Sequence, residues 1–134
     1  MTAAGYSGTP LAAKLGVKGG TRALLVAAPS LPGLEPPPDA VVHRRRGRGA
    51  YDVVVLFVAD VASLRTRFTP LIAALTTAGA LWVCWPKRAS KVATDLDENV
   101  VREHGLATGL VDVKVAAIDA TWSALKFVRR KADR

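Results

Sequence analysis

Two short basic stretches carry most of the chemistry that this sequence offers. HRRRGRG, His43 to Gly49, puts Arg44, Arg45, Arg46 and Arg48 in one glycine-containing loop, and PKRASK, Pro86 to Lys91, adds Lys87, Arg88 and Lys91. Guanidinium and ammonium groups at this density suit phosphate or carboxylate, since each supplies several N–H donors together with charge. Over the whole chain of 134 residues, 19 Lys and Arg stand against 11 Asp and Glu, a formal net charge of +8. Such an excess favours an anionic partner: a phosphorylated ligand, nucleic acid or an acidic protein surface. Solvated loop charges with no ligand have the same composition, so position must decide between the two. Arg129, Arg130, Lys131 and Arg134 form a second basic group.

Residues suited to catalysis are scarcer. His43 stands at a strand end beside arginines, which disfavour its protonated form and would suit a general base; the plainer reading is a loop histidine. His104 falls late in a helix and should contact the helix C-terminus or the core. Cys84, inside ALWVCW, should be a buried and inert thiol. One Cys and two distant His make no closed zinc site, so no metal is expected. Asp60 reads as a helix cap, and Ser90-Lys91 are adjacent without implying a Ser–Lys pair. G-x-S-x-G, a P-loop and H-E-x-x-H do not occur. Tyr6, Ser7 and Thr9 precede a capped helix, where they either fold over a binding edge as a lid or tie down the N-terminus. Trp82, Trp85 and Trp122 lie in or beside strands and should pack.

The elements that position these residues follow from hydrophobic pattern. Thr9-Pro10 opens a short helix, TPLAAKLG, with Thr9 as N-cap and Gly16 at the exit. A strand follows at Arg22 to Ala28. Five prolines between Pro29 and Pro38 then forbid a regular helix. A short strand, AVVHR, precedes the arginine loop, and YDVVVLFV, Tyr51 to Val58, reads as a strand buried on both faces. Asp60 or Ser63 caps the next helix, whose stripe is Leu64, Phe68, Leu71, Ile72 and Leu75; Pro70 predicts a kink or two segments, and Gly79 a stop. Ala80 to Trp85 is another doubly buried strand. Thr94 to Glu98 begins a helix ending near His104 or Ala107, and LVDVKVAAI and WSALKFVRR form a terminal hairpin. In the first of these, Val111, Val113 and Val115 alternate with Asp112 and Lys114 as in a half-exposed strand.

This order predicts a single α/β domain over residues 1–134. Residues 1–20 hold the short helix and link, and 29–49 the proline-rich and arginine-rich loops. The longest apolar run, VVVLFVA, is too short to cross a bilayer, and MTAAGYSGTP lacks the features of a secretory signal. With one cysteine, the expected location is cytoplasmic.

From Leu24 onward the order resembles the Rossmann-like fold of S-adenosylmethionine-dependent methyltransferases. The likeness is carried by YDVVVLFVADVASLRTRFTPLIAALTTAGALWVCWPK, with Ala78-Gly79-Ala80-Leu81 where those enzymes have G-G-x-L. GYSGTPLAAKLGVK, DVVVLF, LWVCWPKRAS, GLVDVKVAAID and TWSALKFVRR are similar to the bacterial Domain of Unknown Function 3052 family, which implies a fold and no activity. The methyltransferase resemblance implies a mostly parallel sheet in the order 2-1-3-4-6-5 with the last strand antiparallel. It also implies a glycine-rich turn after the first strand and an acidic residue ending the second. Here the turn is Ala28-Pro29-Ser30-Leu31-Pro32-Gly33 and the second strand ends His43-Arg44-Arg45-Arg46, so no cofactor is expected.

Open parallel sheets bind ligands along the edge formed by the carboxyl ends of their strands. Residues following the strands include His43 to Arg46 and Pro86 to Lys91. The expectation is therefore an anion-binding edge of Arg44, Arg45, Arg46, Arg48, Lys87, Arg88 and Lys91. The function expected is a non-catalytic domain, monomer or homodimer, holding an anionic partner. The alternatives are a methyltransferase-like enzyme with a degenerate site and a nucleic-acid-binding protein.

Overall fold

A computed structural model describes residues 9–134; Tyr6 and Ser7 lie outside the described residues. The strands are β1 (Arg22–Val26), β2 (Val41–His43), β3 (Tyr51–Phe57), β4 (Leu75–Pro86), β5 (Leu110–Ala117) and β6 (Trp122–Arg129). The helices are α1 (Leu11–Leu15), α2 (Val61–Ile72) and α3 (Glu98–Ala107). The strands form one mixed sheet in the order β2-β1-β3-β4-β6-β5. β2, β1, β3 and β4 pair in parallel, while β6 runs antiparallel to both β4 and β5. This is the order expected from the sequence, with the reversed last strand in its expected place.

Strand alternation divides the core into two layers. Leu24, Val54, Leu56, Leu81, Val83 and Phe127 face α2 and α3, where Leu64, Phe68, Leu71 and Val101 meet them. Ala23, Leu25, Val53, Val55, Phe57 and Trp82 face the other way, toward Leu11 and Leu15 of α1. Leu31 and Leu34 of the proline-rich segment join that second layer, supplying the cover that a crossover helix would give. Proline rules out such a helix by removing amide donors and clashing with the preceding turn. The Trp82 indole donates to Leu15 O (3.1 Å), fixing α1 to the middle of the sheet.

Four local expectations are corrected. Pro10, not Thr9, occupies the N-cap of α1, and no side chain caps that helix. α2 runs through Pro70 as one helix but stops at Ile72, so Leu75 and Gly79 belong to β4. Two interactions end it: Arg129 Nη2 donates to Ile72 O (2.9 Å), and the Tyr51 N–H takes Ala74 O (2.7 Å). Gly79 is needed for close approach, since a Cβ there would lie 3.0 Å from Tyr51 O. In β5 the register shifts between Asp112 and Lys114, a bulge that breaks the expected alternation. Val113 and Val115 are in consequence 53% and 49% exposed.

Gly105 supplies a test of the packing. Replacing glycine inside a helix with alanine ordinarily stabilises by about 1 kcal/mol. At Gly105 the added Cβ would stand 2.0 Å from Cε1 of the fully buried Phe127. Gly105→Ala is therefore expected to destabilise by about 1–3 kcal/mol in urea unfolding, the overpacking range. A stabilised variant would show that α3 does not rest on Phe127.

Candidate functional site

The arginine loop does not end at the carboxyl edge. β2 is three residues long and pairs with the first half of β1, so His43 lies level with Leu24, in mid-sheet. Beyond it the chain turns back. The buried Tyr51 hydroxyl accepts from the Gly47 N–H (2.8 Å) and is hydrogen-bonded to His43 Nδ1 (2.7 Å). The histidine thus has a structural partner within the fold. Arg46 Nη1 lies 3.3 Å from Pro70 O. Pro70 is in the last turn of α2, and that turn sits at the amino edge because α2 returns from the end of β3 to the start of β4. Arg48 is at the same edge: its carbonyl accepts from Arg22 Nη2, while Arg22 Nη1 donates to Ala50 O (2.8 Å). Arg45 is exposed.

Arg44 alone among the four reaches the carboxyl side, with Nη1 3.3 Å from Ala28 O and 3.5 Å from Pro29 O. Its guanidinium thus lies across the turn after β1. In that turn Ala27 takes φ of +55°, a left-handed conformation that costs alanine and suits glycine. Arg44 and the PKRASK loop follow strands separated by β1 and β3. Because the Arg44 guanidinium sits at the turn after β1, two inter-strand spacings, roughly 10 Å, lie between it and the end of β4. The seven cations expected as one site fall into separate groups.

Lys87, Arg88 and Lys91 do come together. They line a cleft of about 490 Å³ at the carboxyl end of β4, together with Trp85, Pro86, Ser123 and the carboxylates Asp97 and Glu98. Val92, Ala93, Thr94 and Leu96 complete an apolar wall beside the start of α3. The volume suits a small organic ligand. The cleft's shape is set by short-range bonds: Ser90 Oγ donates to Lys87 O (2.6 Å) and Lys91 adopts φ of +62°. Ser90 is thereby committed to the backbone, and no Ser–Lys pair forms. Thr94 Oγ1 donates to Ala59 O (2.6 Å), anchoring the wall to the end of β3.

Carboxylates already occupy the helix N-termini at this edge. Asp60 Oδ1 accepts from the Ser63 N–H (2.7 Å) and Asp95 Oδ1 from the Val61 N–H (2.8 Å), both at the start of α2. The Ser63 hydrogen bond holds the Asp60 carboxyl below its usual range. Asp97 caps α3 through the Val100 N–H (2.9 Å). Glu98 faces the cleft but is bound to Arg102, which also holds Asp112 at 2.9 Å and keeps that carboxyl low. The cationic character of the cleft therefore comes from its three side chains and not from helix ends.

The remaining candidates are structural in their setting. Cys84 is buried, and desolvation, aided by the charge of Asp119, pushes its thiol well above the ordinary range. Trp82 and Trp85 are buried, and Trp122 packs edge-on against Phe57 at 5.1 Å. Among the described residues no group of three or more His, Cys, Asp or Glu is placed to hold a metal. Sequence reasoning missed Trp85, Thr94, Leu96 and Ser123 as cleft-lining residues, because they come from three different elements. Arg22 was also missed, and Arg129, expected in a second basic group, was not expected to share an edge with the arginine loop. Their positions at the first residue of β1 and the last of β6 were a legible signal that charge gathers at the amino edge.

No protein-family model matches the chain, and no curated protein matches it significantly.

Two predictions follow from these contacts. Tyr51→Phe removes the hydroxyl that binds both His43 and the Gly47 amide, and should destabilise by about 1–3 kcal/mol. Faster hydrogen exchange at residues 43–50 should accompany the loss; unchanged exchange there would show that the hydroxyl does not hold the loop. His104 lies between α2 and α3 beside Arg65 and Glu103, edge-on to Phe68 at 4.9 Å. Its Nε2 is buried without a partner, and burial followed by the Arg65 charge lowers its pKa below 6.5. The folded state thus favours neutral imidazole. Stability should be full above pH 6.5 and fall as pH drops from there through the lowered folded value. His104→Gln should flatten that dependence in urea titrations between pH 5 and about 7.5.

Proposed function

We propose that this protein is a small, non-catalytic α/β domain that holds an anionic ligand in the cleft at the end of β4. The reading places the chain among Rossmann-like, methyltransferase-like sheets of the Domain of Unknown Function 3052 kind, with the nucleoside site after β1 given up. The strand order and the reversed last strand support that placement, and the Arg44 guanidinium across the Ala28–Pro29 turn supports the loss of the site. The observation that carries the function is the cleft itself. Lys87, Arg88 and Lys91 converge on it without forming an ion pair among the described residues, at the edge where open sheets bind ligands. Its apolar wall and cationic rim together suit a small organic phosphate better than a bare inorganic anion.

A thermal melt with adenosine triphosphate, pyrophosphate and S-adenosylhomocysteine tests this. A ligand present at about 100 times its dissociation constant adds roughly 2.7 kcal/mol, an upward shift of several degrees. The expected result is a shift with a phosphate-bearing ligand that Lys87→Ala/Lys91→Ala abolishes. A shift with S-adenosylhomocysteine alone would favour a methyltransferase-like enzyme with an unorthodox site. Absence of any shift, or a shift indifferent to the double substitution, overturns the cleft as the site.

A further inference from the structure

The strongest charge on the molecule lies at the amino edge of the sheet, opposite the cleft. Arg22 begins β1, Arg48 precedes β3, Arg46 meets the last turn of α2, and Arg129 ends β6. Arg130 and Arg134 continue the row, the latter with Nε 2.9 Å from Arg129 O. Lys18, in the turn before β1, and Lys131 stand beside them. The carboxylates at this edge are Asp39, next to Gly19, Asp52, which accepts the Arg22 N–H (2.9 Å), and Asp133.

What distinguishes these arginines is how they are held. Arg46 donates to Pro70 O, Arg129 to Ile72 O and Thr76 O, and Arg22 to Ala50 O and Arg48 O. None of the six forms an ion pair among the described residues. Carbonyl oxygens fix the guanidinium groups of Arg22, Arg46, Arg129 and Arg134 and leave their charge uncancelled, so the ordering cost of binding is already met in part. Four of the six are well exposed: Arg46, Arg48, Arg130 and Arg134.

The geometry points to this edge as a surface for the phosphate backbone of a nucleic acid, bound without reading its bases. From β1 across β3 and β4 to β6 the row covers three inter-strand spacings, roughly 14 Å. That is about four phosphate intervals of one strand measured along the axis of a duplex. The planar guanidinium fork matches phosphate oxygens, and arginine outnumbers lysine here. Among the described residues no aromatic face is offered to bases at this edge: Tyr51 is buried with the Arg22 guanidinium 4.1 Å above its centre. A protein or membrane partner would call for an apolar centre to the patch. The exposed apolar residues at this edge, Val41 and Leu106, stand at opposite ends of it instead.

The test is fluorescence anisotropy with a labelled 30-base-pair duplex and a labelled 30-nucleotide single strand of mixed sequence, titrated from 50 to 200 mM salt. The variants are Arg48→Gln/Arg130→Gln, whose side chains make no hydrogen bond among the described residues, and Lys87→Gln/Lys91→Gln as the control in the cleft. Thermal melts confirm that both variants fold. The expected result is binding that is indifferent to sequence and weakens linearly in log–log salt plots. The amino-edge variant should bind about tenfold more weakly at 50 mM salt and lower the slope by about 2, and the cleft variant should bind as the parent does. Absence of binding at 50 mM salt, equal loss in the cleft variant, or tighter capture by phosphatidylserine vesicles than by either oligonucleotide overturns the proposal. Because the cleft and the amino edge are altered separately, failure of one reading leaves the other standing.

Discussion

The buried hydroxyl of Tyr51 sets the geometry on which the rest of the basic surface depends. At the first position of β3 this residue is fully buried, its ring packed in the layer beneath α2. A phenol cannot be left dry and unpaired without cost, so its oxygen takes the Gly47 amide and shares a hydrogen bond with His43 Nδ1. Those two bonds turn the chain back toward the amino edge immediately after β2. Main-chain groups of the same residue hold Ala74 and abut Gly79, so the end of α2 and the start of β4 are fixed from the same place. One buried polar atom thus decides which side of the sheet the arginines occupy.

Much of this was legible from residue pattern. Continuous apolar runs at 51–58 and 80–85 identify doubly buried strands, because only a central strand covered on both faces can bury every successive side chain. The strand order came from the resemblance to methyltransferase-like sheets rather than from the runs themselves. The Asp60 cap was signalled by an acidic residue ahead of an apolar periodic stretch, whereas the helix expected to start at Thr94 starts at Glu98 with Asp97 as its cap. What escaped was any feature set by chain reach. The length of β2 is not encoded in AVVHR, which would continue equally well as a longer strand. Its stop at His43 depends on a tyrosine eight residues later. The same holds for Arg129, whose bonds to Ile72 and Thr76 join residues more than fifty positions apart. A rule that places loop residues at the carboxyl edge works for Lys87, Arg88 and Lys91, which follow a full-length strand, and fails for the arginines after a truncated one.

Charge in this molecule therefore does two kinds of work. Arg22, Arg46 and Arg129 close turns and helix ends by donating to carbonyls, a role that any strong multivalent donor on a long stem could fill. Their positive charge is surplus to that role, because a carbonyl cancels none of it. Arg102 is the contrast: it is bound to Glu98 and Asp112, so its charge is spent within the fold. A high formal net charge is thus a weaker guide to partners than the identity of the acceptors that each cation already holds.

The two ends of the sheet bear on how the molecule behaves in a crowded solution. A sheet edge exposes a row of unpaired amides and carbonyls that can recruit another strand, and a chain half composed of hydrophobic residues has much to lose by such recruitment. Here one end is a strand of three residues flanked by prolines and arginines, too short to template a neighbour. At the other, the register shift beside Val113 interrupts the hydrogen-bonding row midway, and Lys114 follows it. Neither border presents a long, flat, regular ladder. The valines exposed on β5 thus lie on a strand whose regularity is broken at its middle, the arrangement by which sheet borders are made poor templates.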